Sequence, residues 1–426
     1  MKIFRDPIHN VIDLDTGDKE VNKLIIRLID SDAFQRLRYI KQLGFVYFAY
    51  PSAAHARFEH SIGVAFLAKR FLDKIISVEE RVLATYGNAY HGMLTDYFRQ
   101  IKADRNVTIV AALLHDIGHG SFSHVFEDLT GAKHETWTRE IILGDTEINA
   151  LLRSHDEEYP QKICRLLLNP DKSTPSAQII AGQLDVDKID YLLRDSHMTG
   201  SGYGKFDVEW LFNVLTVGIA DDRVEIGLDE GKGASVAEDF VMARIYMFRN
   251  VYLHKTSQVA QAMLKLILER INEKEDKLRY FPGTSLYNVL SYNKAMPMNS
   301  ILADYLSVSD IDILYFLKSL CSSDDEILRE LSRGLLNRRL FKRVDEDRWR
   351  EAEKAIVREK GKETARYYLL RIELDEKKEK LVCHPEKENI LLFNKNGECF
   401  SLFEKSSILP TEIQEGIFPP EFYTSL

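Results

Sequence analysis

Long apolar runs, paired cysteines and an excess of positive charge are all missing from this 426-residue sequence. The four cysteines form no C-x-x-C pair, which argues against a disulfide framework and predicts reduced thiols in a cytoplasmic protein. No apolar run approaches the length of a membrane span, and the N-terminus has no signal-peptide core, so we expect no membrane association. The formal charge of −9 argues against a general nucleic-acid binder.

Apolar residues at helical spacing dominate the first part of the chain and predict a mainly α-helical fold. Two early helices are predicted over residues 21–29 and 33–43, with Ser31 among the capping residues between them. The second helix carries a polar set that is typical of a solvent-exposed face, namely Gln35, Arg36, Arg38 and Lys41. One long helix is predicted over residues 242–263.

The composition changes after about residue 340. Stretches beginning at Tyr367, Asn389 and Glu398 are typical of strands, and Asn396-Gly397 predicts a hairpin turn between the last two. We therefore predict a helical core over residues 1–340 and a smaller α+β region over residues 341–426.

The most informative stretch runs from Ala111 to His124. An apolar helix leads directly into His115 and Asp116, and His119 follows four residues after His115 on the same helix face. Glycines after the helix bring His124 back toward the same place. Burying so many polar groups is costly unless something compensates them, and imidazole with carboxylate suits a divalent ion such as manganese, iron, zinc, cobalt or nickel.

Other polar stretches have both structural and functional interpretations. Glu127 and His134 form a possible acid–imidazole pair, or simply lie on the surface. Asp187, Tyr191 and Asp195 share one helix face, which predicts a polar cleft, although a solvated face is the alternative. Four further residues follow one another at spacings of four, four and three along a later predicted helix, namely Arg244, Phe248, Tyr252 and Lys255. The arginine and the lysine on this face suit a polyphosphate. His60, beside Arg57, is by itself equally typical of a core histidine.

Three motifs in order resemble the HD-domain deoxynucleoside triphosphate (dNTP) triphosphohydrolases. They are Arg57-Phe-Glu-His60, His115-Asp116-x-Gly-His119-Gly-x-Phe-Ser-His124, and Asp185-Val-Asp187-Lys188-x-Asp-Tyr191. The resemblance is to bacterial relatives of the SAM-and-HD-domain dNTPase that lack the SAM domain, and it runs from Lys2 to about Val344.

This resemblance implies hydrolysis of a dNTP to a deoxynucleoside and inorganic triphosphate. One divalent metal, with magnesium added to the ions above, would be held by His60, His115, Asp116 and Asp187. Acid–base and phosphate-binding roles would fall to His119, His124, Glu127 and His134, although the family often has Asp where Glu127 stands. Triphosphate binding would involve Arg57, Lys188, Arg244 and Lys255. The sugar pocket would consist of Gln42, Leu43, Tyr191, Asp195 and Tyr252.

The resemblance also implies a regulatory site for a guanine nucleotide between subunits of a homotetramer. Its residues would be Lys2, Ile3, Asp30, Gln35, Arg38, Arg338, Leu340 and Lys342. Two other functions remain open on the sequence. One is a different HD phosphohydrolase, such as a nucleotide monophosphatase or phosphodiesterase, and the other is a catalytically silent nucleotide-binding regulator.

Overall fold

The computed structural model describes residues 2–168, 174–274, 276–281, 284–292, 296–372, 390–409 and 421–425. Its α-helices are α1 (Lys19–Asp30), α2 (Asp32–Gln35), α3 (Arg57–Ser77), α4 (Glu79–Tyr86), α5 (His91–Leu114), α6 (Ser123–Thr130), α7 (His134–Leu143), α8 (Glu147–His155), α9 (Tyr159–Leu168), α10 (Pro175–Ala181), α11 (Val186–Thr199), α12 (Val208–Val214), α13 (Glu230–Met247), α14 (Lys255–Asn272), α15 (Thr284–Leu290), α16 (Leu302–Ser307), α17 (Asp310–Leu320), α18 (Glu326–Leu336), α19 (Glu346–Lys360), α20 (Lys362–Ala365) and α21 (Leu402–Lys405).

The strands are β1 (Ile3–Asp6), β2 (Asn10–Asp13), β3 (Leu215–Ala220), β4 (Arg223–Asp229), β5 (Lys342–Val344), β6 (Leu369–Ile372), β7 (Leu391–Phe393), β8 (Cys399–Ser401) and β9 (Glu421–Thr424). Short 3₁₀ turns cover Arg36–Tyr39, Gly44–Phe48, Gly87–Ala89, Leu278–Tyr280 and Met298–Ile301, and a π-helical turn covers Phe248–Tyr252. Among the described residues, no helix has the length and apolar character needed to cross a membrane.

Helices α3, α5 and α11 form the centre of the molecule. Helix α3 packs along α5 on one side and contacts α11 on the other. The last turns of α5, from Val110 to Leu114, are completely buried, as their apolar sequence predicts. Because α5 ends inside the core, the polar residues that follow it are also placed inside the protein.

The predicted second helix is shorter than expected. Helix α2 begins at Asp32, with Ser31 accepting a hydrogen bond from Phe34 N as its N-cap, and ends at Gln35. A 3₁₀ turn follows, and Lys41 then pairs with Ala56 in an antiparallel bridge. This pairing pulls the backbone out of the helical conformation, so helical spacing continues in the sequence beyond the point where the helix ends.

The single helix predicted over residues 242–263 is also wrong. Helix α13 ends at Met247, and a π-helical turn separates it from α14. Leu253 N donates to Phe248 O over five residues, so the spacing that suggests one continuous face instead spans a break. This turn places Phe248 and Tyr252 at the wall of a cavity.

The C-terminal region combines helices with short strands, as predicted. Strands β7 and β8 form the hairpin expected at Asn396-Gly397, and Gly397 adopts a φ of +83° there. Strand β7 also pairs in parallel with β4, so one four-stranded sheet takes strands from both sides of residue 340. The division of the chain at residue 340 stays a prediction.

Candidate metal centre and active site

Side chains from the three central helices meet where α5 ends. His60 comes from α3, His115 caps the C-terminus of α5, and Asp187 lies in the first turn of α11. One ligand atom from each lies within 4.8 Å of the others. His60 Nε2 is 3.1 Å from Asp187 Oδ1, and His115 Nε2 is 3.5 Å from the same oxygen. These three residues, called the metal set below, have the atoms and the spacing for a divalent cation.

The two histidines leave one nitrogen each for an ion. His60 Nδ1 lies 2.8 Å from Asp190 Oδ2, and His115 Nδ1 lies 2.8 Å from the Ala112 carbonyl oxygen. Within the described residues, both buried Nε2 atoms lack a hydrogen-bond partner. Because an unpaired polar atom is costly inside a protein, these two nitrogens fit a metal ion.

The electrostatic field at this point favours positive charge. Burial alone would lower the pKa of His60, but the carboxylates of Asp187 and Asp190 outweigh it and raise the pKa to about 10. The same two carboxylates would also stabilise a divalent cation, which would take the place of the proton on His60 Nε2.

Asp116, the fourth predicted ligand, lies next to this set. Its Oδ1 is 3.3 Å from His115 Nε2, and its Oδ2 is 3.8 Å from His60 Nε2. Arg57 Nη1 donates a hydrogen bond to Asp116 Oδ2. Burial acts to raise the pKa of Asp116, but His115, His119 and Arg57 hold it well below its usual range. The carboxylate therefore stays ionised and is shared between the metal set and Arg57.

Asp190 supports the metal centre from behind, and its role was missed on the sequence. Its Oδ2 accepts from His60 and, at 2.8 Å, from Arg194 Nε, whereas its Oδ1 accepts from Arg194 Nη2 at 3.0 Å and lies 2.6 Å from His9 Nε2. Gly63 makes the arrangement possible, because a Cβ there would lie 2.1 Å from Asp190 Oδ1 and 2.6 Å from Arg194 Nη2. The i, i+4 spacing of Asp190 and Arg194 was visible, but the partners on other elements were not.

A second group of ionisable residues lies beside the metal set. His119, Glu127 and His134 place ligand-type atoms within 4.8 Å of one another. The His119 and His134 rings stack with centroids 3.8 Å apart, and His134 Nδ1 is 2.6 Å from Glu127 Oε1. Thus the structure joins Glu127 to His134 as predicted by sequence, whereas the side chain of His124 lies outside the described residues.

Burial and nearby charge set the protonation of this second group. Burial, with Arg57 and His134, lowers the pKa of His119 to about 3, so its imidazole is neutral near pH 7. Burial acts to raise the pKa of Glu127, but its hydrogen bond with His134 lowers it to about 2. An anionic carboxylate on Nδ1 fixes the orientation of the His134 ring.

The loop after α5 is held by buried residues from distant elements. Arg36, predicted on a solvated face, is instead buried, with Nη2 donating to His119 O at 2.7 Å and Nε to Val308 O at 3.0 Å. Asp310 accepts from Ser121 Oγ at 2.7 Å. Arg36 is buried because its planar guanidinium donates to several backbone carbonyl oxygens at once.

A cavity of about 280 Å³ is lined in part by Arg57 and by Ser123, whose hydroxyl lies 2.9 Å from His119 Nδ1. Four residues of the predicted substrate site line it, namely Gln42, Leu43, Arg57 and Tyr252. Arg57 therefore contacts both the metal set, through Asp116, and the cavity. Phe122, which follows the histidine-rich loop with a φ of +45°, forms another part of the wall.

Asp195 and Tyr191 lie next to Tyr252. The Tyr252 hydroxyl donates to Asp195 Oδ2 at 2.9 Å, and the Tyr191 and Tyr252 rings meet edge to face. His55, which the sequence did not single out, places Nε2 2.7 Å from Asp195 Oδ1. Asp195 is 1% exposed, so the solvated-face interpretation of this part of α11 is wrong.

The remaining predicted phosphate-binding residues do not line the cavity. Lys188 turns toward the start of its own helix, where Nζ donates to Asp185 and to Gly182 O. Arg244 is half-buried near the Tyr191 phenol, and Lys255 is exposed at the first residue of α14.

Four of the eight predicted regulatory residues form a hydrogen-bonded surface group at the N-terminus. Lys2 Nζ donates to Asp30 Oδ1 at 3.0 Å, and Arg38 Nε donates to Gln35 Oε1 at 2.8 Å. Gln35 in turn donates to Ile29 O, next to Asp30. The other four predicted regulatory residues are Ile3, which is 63% exposed, Arg338, which donates to Phe48 O, half-buried Leu340, and exposed Lys342. Nucleotide binding by this set stays a prediction.

Comparison with known proteins identifies two matching regions. Residues 57–195 match the family model of the HD domain, and residues 214–294 match that of the HD associated region. The Bacillus subtilis protein YwfO is 33% identical, and the match covers 81% of this chain and 72% of YwfO. A solved phosphohydrolase from Bacteroides thetaiotaomicron is 28% identical, with a TM-score of 0.80 over the whole of both chains.

Vertebrate deoxynucleoside triphosphate triphosphohydrolases are also similar to this chain. The human protein SAMHD1 is 29% identical, and the chicken protein of the same name is 27% identical. Each match covers 81% of this chain, but only 55% and 56% of the human and chicken proteins. This chain therefore spans about half the length of these two relatives.

Proposed function

The chain belongs to the HD-domain phosphohydrolases, and we propose that it is a metal-dependent dNTP triphosphohydrolase. One observation carries the proposal: Arg57 joins the metal set, through Asp116, to a cavity of about 280 Å³. Its guanidinium pairs with Asp116, while the same side chain lines the cavity with Gln42 and Tyr252. A substrate in that cavity would bring a phosphate close to the metal ligands.

The proposed metal ligands are His60, His115, Asp116 and Asp187, with manganese as one candidate ion. When bound, the ion would act as a Lewis acid toward a phosphoryl oxygen and toward water. Arg57 would orient the same phosphate through its planar fork of donors. The buried Asp190 carboxylate would keep His60 in one tautomer throughout.

The second group would handle the proton. The attacking water would form a bond to the α-phosphorus and give up one proton to solvent. The bond from phosphorus to the 5′ oxygen would break, and the leaving oxygen would take one proton from a side chain. His134 is the proposed donor, because Glu127 holds its Nδ1 and leaves Nε2 for proton transfer. Neutral His119, stacked on His134, and His124 would assist as phosphate-binding groups.

The remaining polar residues would select the substrate. Lys188, Arg244 and Lys255 would join Arg57 in holding the triphosphate, which requires Lys188 to leave Asp185. Gln42 and Asp195 would hold the 3′-hydroxyl, beside Leu43. Tyr191 and Tyr252 would crowd the 2′ carbon and exclude ribonucleotides.

Regulation would use the N-terminal surface group. Asp30 would accept from the guanine N1 and N2 protons, while the basic residues would bind the phosphates. Binding of the guanine nucleotide would assemble a homotetramer and raise activity. The protein would act in the cytoplasm, where its thiols stay reduced.

A product assay tests the proposal. The protein is incubated with each dNTP and Mn²⁺, with and without dGTP, and the products are identified by mass spectrometry. We expect a deoxynucleoside and inorganic triphosphate, and we expect His115→Ala and Asp187→Ala to lose both bound metal and turnover. Release of pyrophosphate or monophosphate alone would contradict the proposal. Turnover without bound metal would contradict the assigned centre.

The positions of the basic residues favour one further candidate, a nucleotide monophosphatase. Lys188 is bound to Asp185 and Gly182, and neither Arg244 nor Lys255 lines the cavity, so a short phosphate chain suits the cavity as it stands. The same assay with deoxynucleoside monophosphates separates the two activities. A catalytically silent regulator would bind nucleotides and release no product from any of them.

A further inference from the structure

We propose that His55 is a positioning residue for sugar recognition, which fixes the distance between Asp195 and Gln42. This inference rests on the proposed function, in which those two residues hold the 3′-hydroxyl of the substrate. His55 lies in the loop just before α3, and its side chain is 1% exposed.

The imidazole of His55 determines the orientation of Asp195. His55 Nε2 is 2.7 Å from Asp195 Oδ1, and the Tyr252 hydroxyl donates to Asp195 Oδ2 at 2.9 Å. Because one donor holds each oxygen, the carboxylate cannot rotate without breaking a buried hydrogen bond. Each oxygen keeps a further lone pair, which can accept a hydrogen bond from a substrate hydroxyl.

The backbone of His55 determines the position of Gln42. Gln42 N donates to His55 O at 3.0 Å, and Arg57 N donates to Ile40 O at 3.0 Å in the same antiparallel bridge. Gln42 lines the cavity, and its buried Oε1 has no hydrogen-bond partner among the described residues. A buried, unpaired amide oxygen beside a cavity is poised for a ligand.

One residue thus connects both halves of the proposed hydroxyl site. The side chain of His55 holds the Asp195 carboxylate on α11, and its carbonyl oxygen accepts from the backbone N–H of Gln42. Loss of the side chain would free Asp195 to turn toward Tyr252 alone, and the hydroxyl would lose a correctly placed acceptor. A substrate without that hydroxyl has nothing to lose, so the defect should depend on the substrate.

The test compares one dNTP with its 2′,3′-dideoxy analogue at a constant concentration of guanine nucleotide. The measured quantity is the ratio of their kcat/KM values in the unsubstituted protein, His55→Ala and His55→Gln. We expect His55→Ala to lower this ratio about tenfold or more, because a hydrogen bond to a charged group is worth that much. His55→Gln should restore part of the ratio, since its amide nitrogen can reach the place of Nε2.

Controls separate positioning from general damage. His91→Gln, on an exposed residue at the start of α5, should leave the ratio unchanged. An unchanged ratio in His55→Ala, whether both substrates lose activity equally or neither does, would overturn the inference. An equal loss on both substrates would assign His55 a purely structural role. If His55→Ala fails to fold, His55→Gln and Tyr252→Phe provide the same comparison, because Tyr252→Phe removes the second donor to Asp195.

Failure of the proposed function would look different. In that case the unsubstituted protein would release no triphosphate from any dNTP. Equilibrium binding of the deoxynucleotide and its dideoxy analogue by the same variants would then decide the role of His55. A binding preference for the 3′-hydroxyl that disappears in His55→Ala supports the inference, and a preference that persists, or is absent from the start, refutes it.

Discussion

His60 and Asp190 are joined by a completely buried hydrogen bond, with Nδ1 of the imidazole 2.8 Å from Oδ2 of the carboxylate. The bond points His60 Nε2 at Asp187, and Asp190 is itself held by Arg194 and His9. The geometry of the candidate metal centre therefore depends on residues that are not among its proposed ligands.

The first prediction concerns the charge of Asp190. Asp190→Asn keeps the shape of the side chain but removes the negative charge that raises the basicity of His60. We expect metal affinity to fall about 10–100-fold, the usual effect of losing a carboxylate behind a ligating histidine. Titration of Mn²⁺ into the metal-free protein measures it. Exposed Asp96→Asn is the control, and equal affinities would contradict the role given to Asp190.

Gly63 provides the second prediction. In Gly63→Ala the new Cβ would lie 2.1 Å from Asp190 Oδ1, so α3 or α11 must shift. We expect the free energy of unfolding to fall by about 1–3 kcal/mol, as for other overpacked cores, and metal affinity to fall with it. Gly92→Ala, at an exposed position in α5 with open space around it, should leave both unchanged or be slightly stabilising. Urea unfolding checks the first quantity, and a tolerated Gly63→Ala would refute the close approach.

Arg36 provides the third prediction, on the loop after α5. Arg36→Met removes the donors to His119 O and Val308 O, and each unsatisfied buried acceptor costs about 1–3 kcal/mol. We expect a lower free energy of unfolding in urea and a loss of turnover, because the backbone of His119 is released. Arg99→Met, at an arginine whose side chain is 77% exposed, should change neither quantity. Full activity in Arg36→Met would show that the loop is held by other contacts.

The fourth prediction is a dependence of stability on pH. The pKa of Glu127 falls from 4.5 to about 2 on folding, through its hydrogen bond with His134. Because the folded value is the lower one, this carboxylate stabilises the protein above about pH 4.5 and loses that effect as the pH falls toward 2. A partly exposed pair is worth about 1 kcal/mol after screening by solvent.

Thermal unfolding of Glu127→Gln tests this dependence. The wild-type protein should unfold at a higher temperature than the variant at pH 6, and the difference should shrink steadily between pH 4.5 and pH 3. Glu135→Gln, at the neighbouring and more exposed carboxylate, should show a smaller difference at pH 6. A difference in unfolding temperature that stays constant down to pH 3 would mean that His134 does not lower the pKa of Glu127.

Local patterns predicted much of the fold and part of the site. The mainly helical architecture and the β7–β8 hairpin follow from spacing and turn residues within a few positions. His115 and Asp116 come together at the end of α5 because an apolar helix carries them into the core. Each of these features depends on neighbours in sequence, which a single chain displays directly.

Contacts between distant segments were beyond such reasoning. His55 bonds Asp195 across 140 positions, and Arg36 bonds His119 across 83. No spacing rule pairs these residues. The residues that flank a buried arginine in the sequence do not distinguish it from an exposed one. The π-helical turn after Met247 was missed for a related reason, because the residues on each side of it keep the helical period and nothing in the local sequence marks the wider turn.

The N-terminal hairpin has a consequence for how the protein is made. His9 lies between β1 and β2, yet its partner Asp190 is 181 positions later. During synthesis His9 emerges from the ribosome first, and the proposed ligands His60, His115 and Asp187 follow before Asp190. These three proposed metal ligands are therefore available together only late in synthesis, after α11 has left the exit tunnel.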